Sequence, residues 1–292
     1  MIIIPIAFDS FSTRSMATIV KTDINIFIDP SIAIGPRRYG FKPHPIELEE
    51  MDKKKDEIIE LSKDIDLIII THYHWDHCPR PEEKHFKILY NKKIILKNIN
   101  DKINNSQKNR GKRVIGNLKN NNEIIFGDNK KFEINNTYIE ISPSLFHGEE
   151  NSPLGFLIAP YIEYKNKSLF FGSDIQGILN DQTLNYIIEK NPDYIILSGP
   201  PFYHPKWDNN LNDIFYSNIV KLLENTKVDK IIIDHHMARS KDYFKILENL
   251  NEIGENYGAK FLSAADYLNI ENKLLEANRD ILYQQNSAAG GI

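Results

Sequence analysis

A single cysteine, Cys78, is present in 292 residues. No disulfide can therefore form within the chain, which excludes a small secreted scaffold stapled by disulfides. The expected setting is a reducing cytoplasm. Long apolar runs are also lacking: the stretch Ile2 to Phe8 is too short for a spanning helix and is interrupted by Pro5, so it reads as a first strand, and no membrane partner is expected. Charge of one sign is scarce in net terms. Lys and Arg number 36 against 40 Asp and Glu, a formal net charge of −4, which exerts no global pull on nucleic acid or anionic lipid. No linker rich in Gly, Pro or Ser separates two halves, which favours one domain over residues 1–286, with the small polar tail 287–292 expected to be disordered.

What is present begins with enough apolar content, 41%, to build a substantial core. Short β-branched and aromatic runs bounded by turn residues predict strands at Ile2–Phe8, Ala17–Lys21, Ile24–Ile28, Asp66–Thr71, Lys93–Lys97, Glu123–Phe126, Thr137–Ser142, Gly155–Tyr164, Ser168–Gly172, Tyr194–Ser198 and Lys230–Asp234. Helical periodicity predicts helices at Ile46–Lys63, Asp181–Lys190, Leu211–Glu224, Lys241–Tyr257 and Glu271–Tyr283. Strands in both halves with helices between them predict an α/β fold of two sheets between helical layers.

The strand Asp66–Thr71 runs directly into His72-Tyr73-His74-Trp75-Asp76-His77, three imidazoles and a carboxylate within six residues. In an extended loop, residues two apart point to the same side. His72 and His74 can then converge on one cation while Tyr73 and Trp75 pack away from it. Asp76 and His77 can face a second cation. Read blandly, the segment is a polar turn bonded to solvent, but four such groups at the end of an apolar strand are costly neighbours unless they share a ligand.

The His-x-His-x-Asp-His string resembles that of the metallo-β-lactamase superfamily, and further segments fit its pattern in order. Phe146-His147-Gly148 follows one predicted strand, Phe171-Gly172-Ser173-Asp174 ends another, and Ile233-Asp234-His235-His236 ends a third. The resemblance implies a four-layer αββα sandwich, a third ligand of the first metal at His147, and a bridging carboxylate at Asp174. Either histidine of the last pair can serve as a ligand. His235, nearer the strand end, is favoured, which leaves His236 as a proton donor or substrate contact. Within the superfamily the chain looks most like a branch of archaeal proteins predicted to be metal-dependent hydrolases, through Ile28-Asp29-Pro30, Gly35-Pro36-Arg37-Arg38-Tyr39-Gly40 and Ser198-Gly199-Pro200-Pro201. It departs from the common pattern after His77, where Cys78-Pro79-Arg80-Pro81 replaces a glycine pair; Cys78 itself reads as inert packing.

The cofactors expected are two divalent metal ions, zinc foremost, with manganese and iron also compatible with imidazole and carboxylate ligands. Two cations sharing a water lower its pKa toward about 7, which makes the chemistry hydrolytic. The metal ligands expected are His72, His74, Asp76, His77, His147, Asp174 and His235; the catalytic groups are Asp76 and His236, with Tyr203 an alternative to the latter. Substrate class is less legible. Segment 84–131 carries thirteen Lys or Arg against Asp101, Glu123 and Asp128, which reads as a Lys-rich solvent face or as a track for phosphates. Aromatic residues that would stack on bases are missing from its middle. The sixty residues between Asp174 and His235, and twenty-six between His147 and Asp174, leave no room for the inserts of the superfamily's familiar nucleases. A small ester, lactone or phosphoester is thus favoured over RNA or DNA, with pocket walls expected from Arg14, Arg37, Arg38, Tyr39 and His44 and from Tyr203, His204 and Lys206.

Overall fold

A computed structural model describes residues 1–150 and 152–289, with side chains to residue 285. The first half forms a six-stranded sheet in sequential order: β1 (Ile2–Phe8), β2 (Met16–Lys21), β3 (Asn25–Ile28), β4 (Leu67–Ile70), β5 (Lys93–Leu96) and β6 (Glu123–Phe126). β1 to β3 pair antiparallel, and β3 to β6 pair parallel. The second half begins with β7 (Lys131–Ile134) and β8 (Thr137–Ile141), followed by a short separate pair, β9 (Leu145–Phe146) with β10 (Phe156–Leu157). It continues with β11 (Pro160–Tyr164), β12 (Lys167–Gly172), β13 (Tyr194–Leu197), β14 (Lys230–Ile233) and β15 (Lys260–Leu262). These give a seven-stranded sheet ordered β15-β14-β13-β12-β11-β8-β7.

The period-two rule explains how the apolar strands serve two interfaces at once. In β4, Leu67 and Ile69 enter the core between the sheets, where they join Ile139, Ile141, Phe171, Ile196 and Ile232. Ile68 and Ile70 point the other way, to a cluster with Ile58 and Val114 from the helices α1 (Pro45–Leu61) and α2 (Asn105–Gly116). In β13 and β14, Ile196 and Ile232 face inward, while Ile195, Leu197, Ile231 and Ile233 meet α3 (Asp181–Lys190), α4 (Asn209–Glu224) and α5 (Tyr243–Glu255). Four layers, αββα, result. No helix among the described residues is long and apolar enough to cross a membrane.

Several expectations need correction. The strand expected over Gly155–Tyr164 is two strands, because the chain changes sheets at Ile158 and Ala159: Ile158 N donates to Thr71 O at 3.0 Å and Ala159 N to Ser142 Oγ at 2.8 Å. α2 lies where no helix was expected. After α6 (Ala264–Leu268), a helix was expected over Glu271–Tyr283, yet α7 spans Arg279–Ala289. Ahead of it Leu274 is left-handed, with φ 45°, and the amides of Lys273 and Leu274 donate to Ser10 O at 2.6 and 3.1 Å. The tertiary contact with Ser10 overrides the local pattern. α7 also takes in Ser287, Ala288 and Ala289, which were expected in a disordered tail; the remainder of that segment lies outside the described residues.

The start of α7 is pinned by Arg279, fully buried, which grips the buried Glu47 of α1 through Nε and Nη2 at 2.7 Å each. Removing one member leaves a buried unpaired charge, so Arg279→Met is expected to destabilise the fold by about 3–5 kcal/mol. The double variant with Glu47→Met should recover most of that loss. Denaturant unfolding of the two variants beside the unaltered chain checks this, and equal stability of the single and double variants would contradict it.

Candidate metal centre

β1, β3 and β4 run in the same direction, as do β12, β13 and β14. The polar residues that follow β1, β3, β4, β12 and β14 gather at one edge of the sandwich. They are Asp9, Asp29, the loop His72–His77, Asp174 and His235. His147 follows β9 and reaches the same place. Three of these residues hold left-handed backbone: Asp29 at φ 47°, Asp174 at 45° and His235 at 49°. Such positions cost on the order of 1–3 kcal/mol each, and in an enclosed polar cluster they are a mark of function.

The structure brings all the expected site residues together. Asp174 Oδ2 lies 3.2 Å from His72 Nε2, 3.7 Å from His74 Nδ1 and 3.0 Å from His147 Nε2, and the last two nitrogens are 3.2 Å apart. Asp174 Oδ1 lies 3.4 Å from both His77 Nε2 and His235 Nε2, which are 3.3 Å apart. Asp76 closes this second set at 4.0 Å from His77 Nε2 and 3.6 Å from His235 Nε2. A tetrahedral zinc shell with Zn–N near 2.0–2.1 Å requires ligand atoms roughly 3.3–3.4 Å apart. Both sets have about that spacing.

The donors fit a cation on chemical grounds as well. His72 Nε2 and Asp174 Oδ1 are buried with no hydrogen-bond partner in the protein, an arrangement that is expensive unless a ligand satisfies them. Burial holds the pKa of His72 well below the usual histidine value, with the neighbouring His77 adding to it, and burial likewise lowers His74. Both rings are accordingly neutral, as ligation requires. Burial opposes charge on His77 too, but the carboxylates of Asp174 and Asp76 outweigh it and raise its pKa well above the usual value. Asp174 and Asp76 are themselves held low, against burial, chiefly by His77. A proton on His77 and a cation in the second set therefore compete for the same carboxylates.

An outer ring of hydrogen bonds orients the imidazoles, and sequence reasoning missed most of it. Asp29 Oδ2 lies 3.0 Å from His77 Nδ1 and accepts from Thr71 Oγ1 at 2.7 Å, while Thr71 Oγ1 is 2.9 Å from His72 Nδ1. Asp9 Oδ2 is 2.7 Å from His235 Nδ1, and Asp9 Oδ1 accepts from Arg239 Nε at 2.8 Å. Arg239 Nη2 is nearly equidistant from the two nitrogens of His235, at 3.1 and 2.9 Å. That places the guanidinium over the ring face, leaving the in-plane lone pair of Nε2 directed at the second set. Asp29 had been noted only within a resemblance; Asp9 and Arg239 could have been suspected from their positions, just after β1 and four residues beyond His235.

His236 sits farther out. Its Nε2 is 3.8 Å from Asp174 Oδ1, its Nδ1 is buried without a partner, and burial lowers its pKa well below the usual value. It opens onto a cleft of about 610 Å³ also lined by Gln176, Tyr203, Lys206 and Trp207. Of the expected walls, Tyr203, His204 and Lys206 line this cleft, and Arg38 packs on the Tyr203 ring at 4.0 Å. Four others do not serve: Arg14 pairs with Glu276 at 2.6 Å, Arg37 is exposed and bonded to Gly40 O, Tyr39 is exposed with Lys241 over its ring at 4.6 Å, and His44 caps α1. Cys78 is fully buried in the α1–α2 side core, where burial pushes its thiol pKa well up, as suits packing.

Five of the thirteen cations in segment 84–131 are paired with carboxylates among the described residues. Lys84 bridges Asp52 and Asp56 at 2.8 Å, Lys93 meets Glu123 at 3.0 Å, Lys97 meets Asp128 at 2.5 Å, Lys131 meets Glu140 at 3.5 Å, and Arg113 pairs with Glu82.

Comparisons with known proteins agree with this architecture. No family model matches the chain. Among solved structures, YhfI of Bacillus subtilis, a metallo-β-lactamase fold protein, superposes with a TM-score of 0.50 at 10% identity, covering 90% of this chain and 96% of that one. A metal-dependent hydrolase of the β-lactamase superfamily superposes with a TM-score of 0.52 at 14% identity, covering 89% of this chain and 94% of that one. Both show a shared fold. In sequence, the chain is 36% identical to the UPF0282 protein of Sulfurisphaera tokodaii over 100% of this chain and 96% of that protein. It is 35% identical to that of Pyrococcus horikoshii over 97% and 93%. Identity of this order along nearly the full length of both partners makes the chain a member of the UPF0282 family, built on the metallo-β-lactamase fold.

Proposed function

We propose that the chain is a metal-dependent hydrolase with a dinuclear site, acting on a small ester, lactone or phosphoester. The observation that carries this reading is the placement of Asp174, with one buried oxygen in each of two ligand sets of near-tetrahedral spacing. His72, His74, His147 and Asp174 would hold one cation, and Asp76, His77, His235 and Asp174 the other. Zinc suits this mixture of imidazole and carboxylate best, and manganese or iron is also compatible. Bound there, two divalent cations supply an activated water and polarise the attacked oxygen.

The chain's own residues do the rest. Asp76, the most solvent-accessible carboxylate of the centre, orients the incoming water. His236, neutral and at the mouth of the cleft, donates an N–H to charge developing on the substrate. Asp9 and Asp29 fix the rings of His235 and His77, which keeps their Nε2 atoms aimed at the cluster. The cleft volume falls within the range of small-molecule sites. Together with the lack of stacking aromatic residues in the middle of segment 84–131, it favours a small substrate over a nucleic acid.

Elemental analysis of the purified protein is expected to find about two metal ions per chain. Asp174→Ala should lose activity on a panel of esters, lactones, phosphoesters and short RNAs, and should retain at most one ion. Full metal content with normal turnover in that variant contradicts the shared role of Asp174.

Asp9→Asn keeps the size of the side chain but weakens its hold on His235. Metal affinity should fall roughly 10–100-fold, as read by competition with a chromogenic chelator; unchanged affinity would show that His235 needs no such support.

For His236→Gln the expected result is a loss in kcat of about 10²-fold or more at full metal content. A parallel loss of metal would instead make His236 a ligand.

A further inference from the structure

With the ion pairs of segment 84–131 set aside, two guanidiniums stand out near the centre. Arg80 and Arg110 converge on the indole of Trp75, their carbons 5.2 and 5.3 Å from its centroid. Arg113 reaches the same ring at 6.0 Å but is engaged by Glu82. Neither Arg80 nor Arg110 has a carboxylate within salt-bridge distance among the described residues. Arg80 Nε is buried without a hydrogen-bond partner, and Arg110 Nη1 has only a long bond to Tyr73 O at 3.4 Å. Burial pulls the Arg110 pKa below its ordinary value and the Arg80 charge adds to this, with Asp76 opposing it.

The platform is held in place. Trp75 O accepts from Ser31 Oγ at 2.7 Å. On α2, the Gln107 carbonyl accepts from Tyr73 N at 3.1 Å, and its amide donates to Leu154 O at 2.8 Å. Trp75 and Asp76 are consecutive, so the loop that supplies a site carboxylate also presents the two cations. Attraction to one indole is weak and does not offset the repulsion of two like charges that share it. An anion between them would. Two guanidinium forks offer more donors than a carboxylate's two oxygens can use, whereas a phosphate has the oxygens and the charge to engage both.

We propose that Arg80 and Arg110, gathered on Trp75 beside Asp76, form a phosphate-binding subsite of the metal centre, and that the substrate is a small phosphorylated molecule. The first half stands on this geometry, and the second rests on the hydrolase reading above.

The chain has two tryptophans, so Trp207→Phe leaves Trp75 as the sole indole reporter. Inorganic phosphate titrated into this metal-loaded protein is expected to change Trp75 emission saturably. Arg80→Met and Arg110→Met, each in the same background, should weaken binding at least about tenfold, while Lys112→Met, on the exposed side of the same helix, should not. Arg110→Lys, which keeps the charge and drops the fork, should also weaken binding and guards against a folding defect in the methionine variants. Absence of a saturable response, or equal affinity in the Arg80 and Arg110 variants, overturns the subsite. A short single-stranded RNA binding more than roughly a hundredfold tighter than phosphate through the same arginines, with steep salt dependence, overturns the small substrate. Metal content and turnover of neutral esters, measured on the chain with Trp207 intact, read the hydrolase assignment separately. Turnover without a phosphate response discards the subsite alone; a phosphate response without metal or turnover discards the substrate half.

Discussion

The carboxylate of Asp174 is divided between two sets of imidazoles, and the rest of the site is arranged around that division. Its oxygens face His72, His74 and His147 on one side and His77 and His235 on the other, all within 3.0–3.7 Å. Five nitrogens cannot all be satisfied by one buried carboxylate through protons alone, as the unpartnered His72 Nε2 and Asp174 Oδ1 show. A bound cation would resolve the mismatch, because it accepts several lone pairs at once. Asp174 therefore has to stand between loops that come from different sheets, and the αββα sandwich provides this by ending β4, β12 and β14 at a common edge.

Holding the arrangement has local costs. Asp29, Asp174 and His235 adopt left-handed backbone, and Asp9, Asp29 and Asp234 are buried carboxylates. Bonds that also position the centre offset part of these costs. Asp234 accepts from the amides of Ser10, His235 and Ala264 at 3.0, 2.6 and 2.9 Å, tying the ends of β1 and β14 to α6. These bonds do not fully repay desolvation, since burial still raises the Asp234 pKa above the usual value. Asp9 instead carries a depressed pKa: burial works against its charge, but Arg239 and His235 outweigh it. Two buried carboxylates thus differ because one faces the Arg239 guanidinium and the other accepts only from amides.

This division also explains what could be read in the sequence. β4, β13 and β14 were legible because both faces of each strand are buried, so the residues form continuous apolar runs. The ligand loop was legible because His72, His74, Asp76 and His77 are close in sequence, while His147, Asp174 and His235 needed the family resemblance to be joined to them. α2 was not legible, because Asn105-Ser106-Gln107-Lys108-Asn109-Arg110 offers no apolar stripe. That helix depends on the Asn104 cap, which accepts from Gln107 N at 2.8 Å, and on the Gln107 tether to Tyr73. Asp9 lies 226 positions from His235, and no local pattern announces a pairing of that range. α7 was misplaced because Leu274 and Ala277 have a helical spacing yet are buried in the helix-side core of the second sheet, while the amides of Lys273 and Leu274 are bonded to Ser10 O.

The surroundings of the centre divide by rigidity. The ligand groups sit on strand ends or on short turns closed by backbone bonds, such as Cys78 N to His74 O at 2.8 Å. The cleft wall at Tyr203, His204 and Lys206 belongs instead to the long connection between β13 and α4, where His204 N to Pro201 O at 2.8 Å closes one turn. Its link to the opposite side runs through Arg38, which stacks on Tyr203 at 4.0 Å and donates to Arg239 O at 2.5 Å. Arg239 in turn lies on the ring of His235. A change in the cleft wall is thereby felt at the second ligand set through Arg38 and Arg239, while the first set meets the cleft along the chain, where Glu149, Ser152 and Leu154, on the connection that follows His147, line it. Substrate fit in the cleft accordingly has a physical route to both halves of the centre, by side-chain contacts to the second set and along the chain to the first.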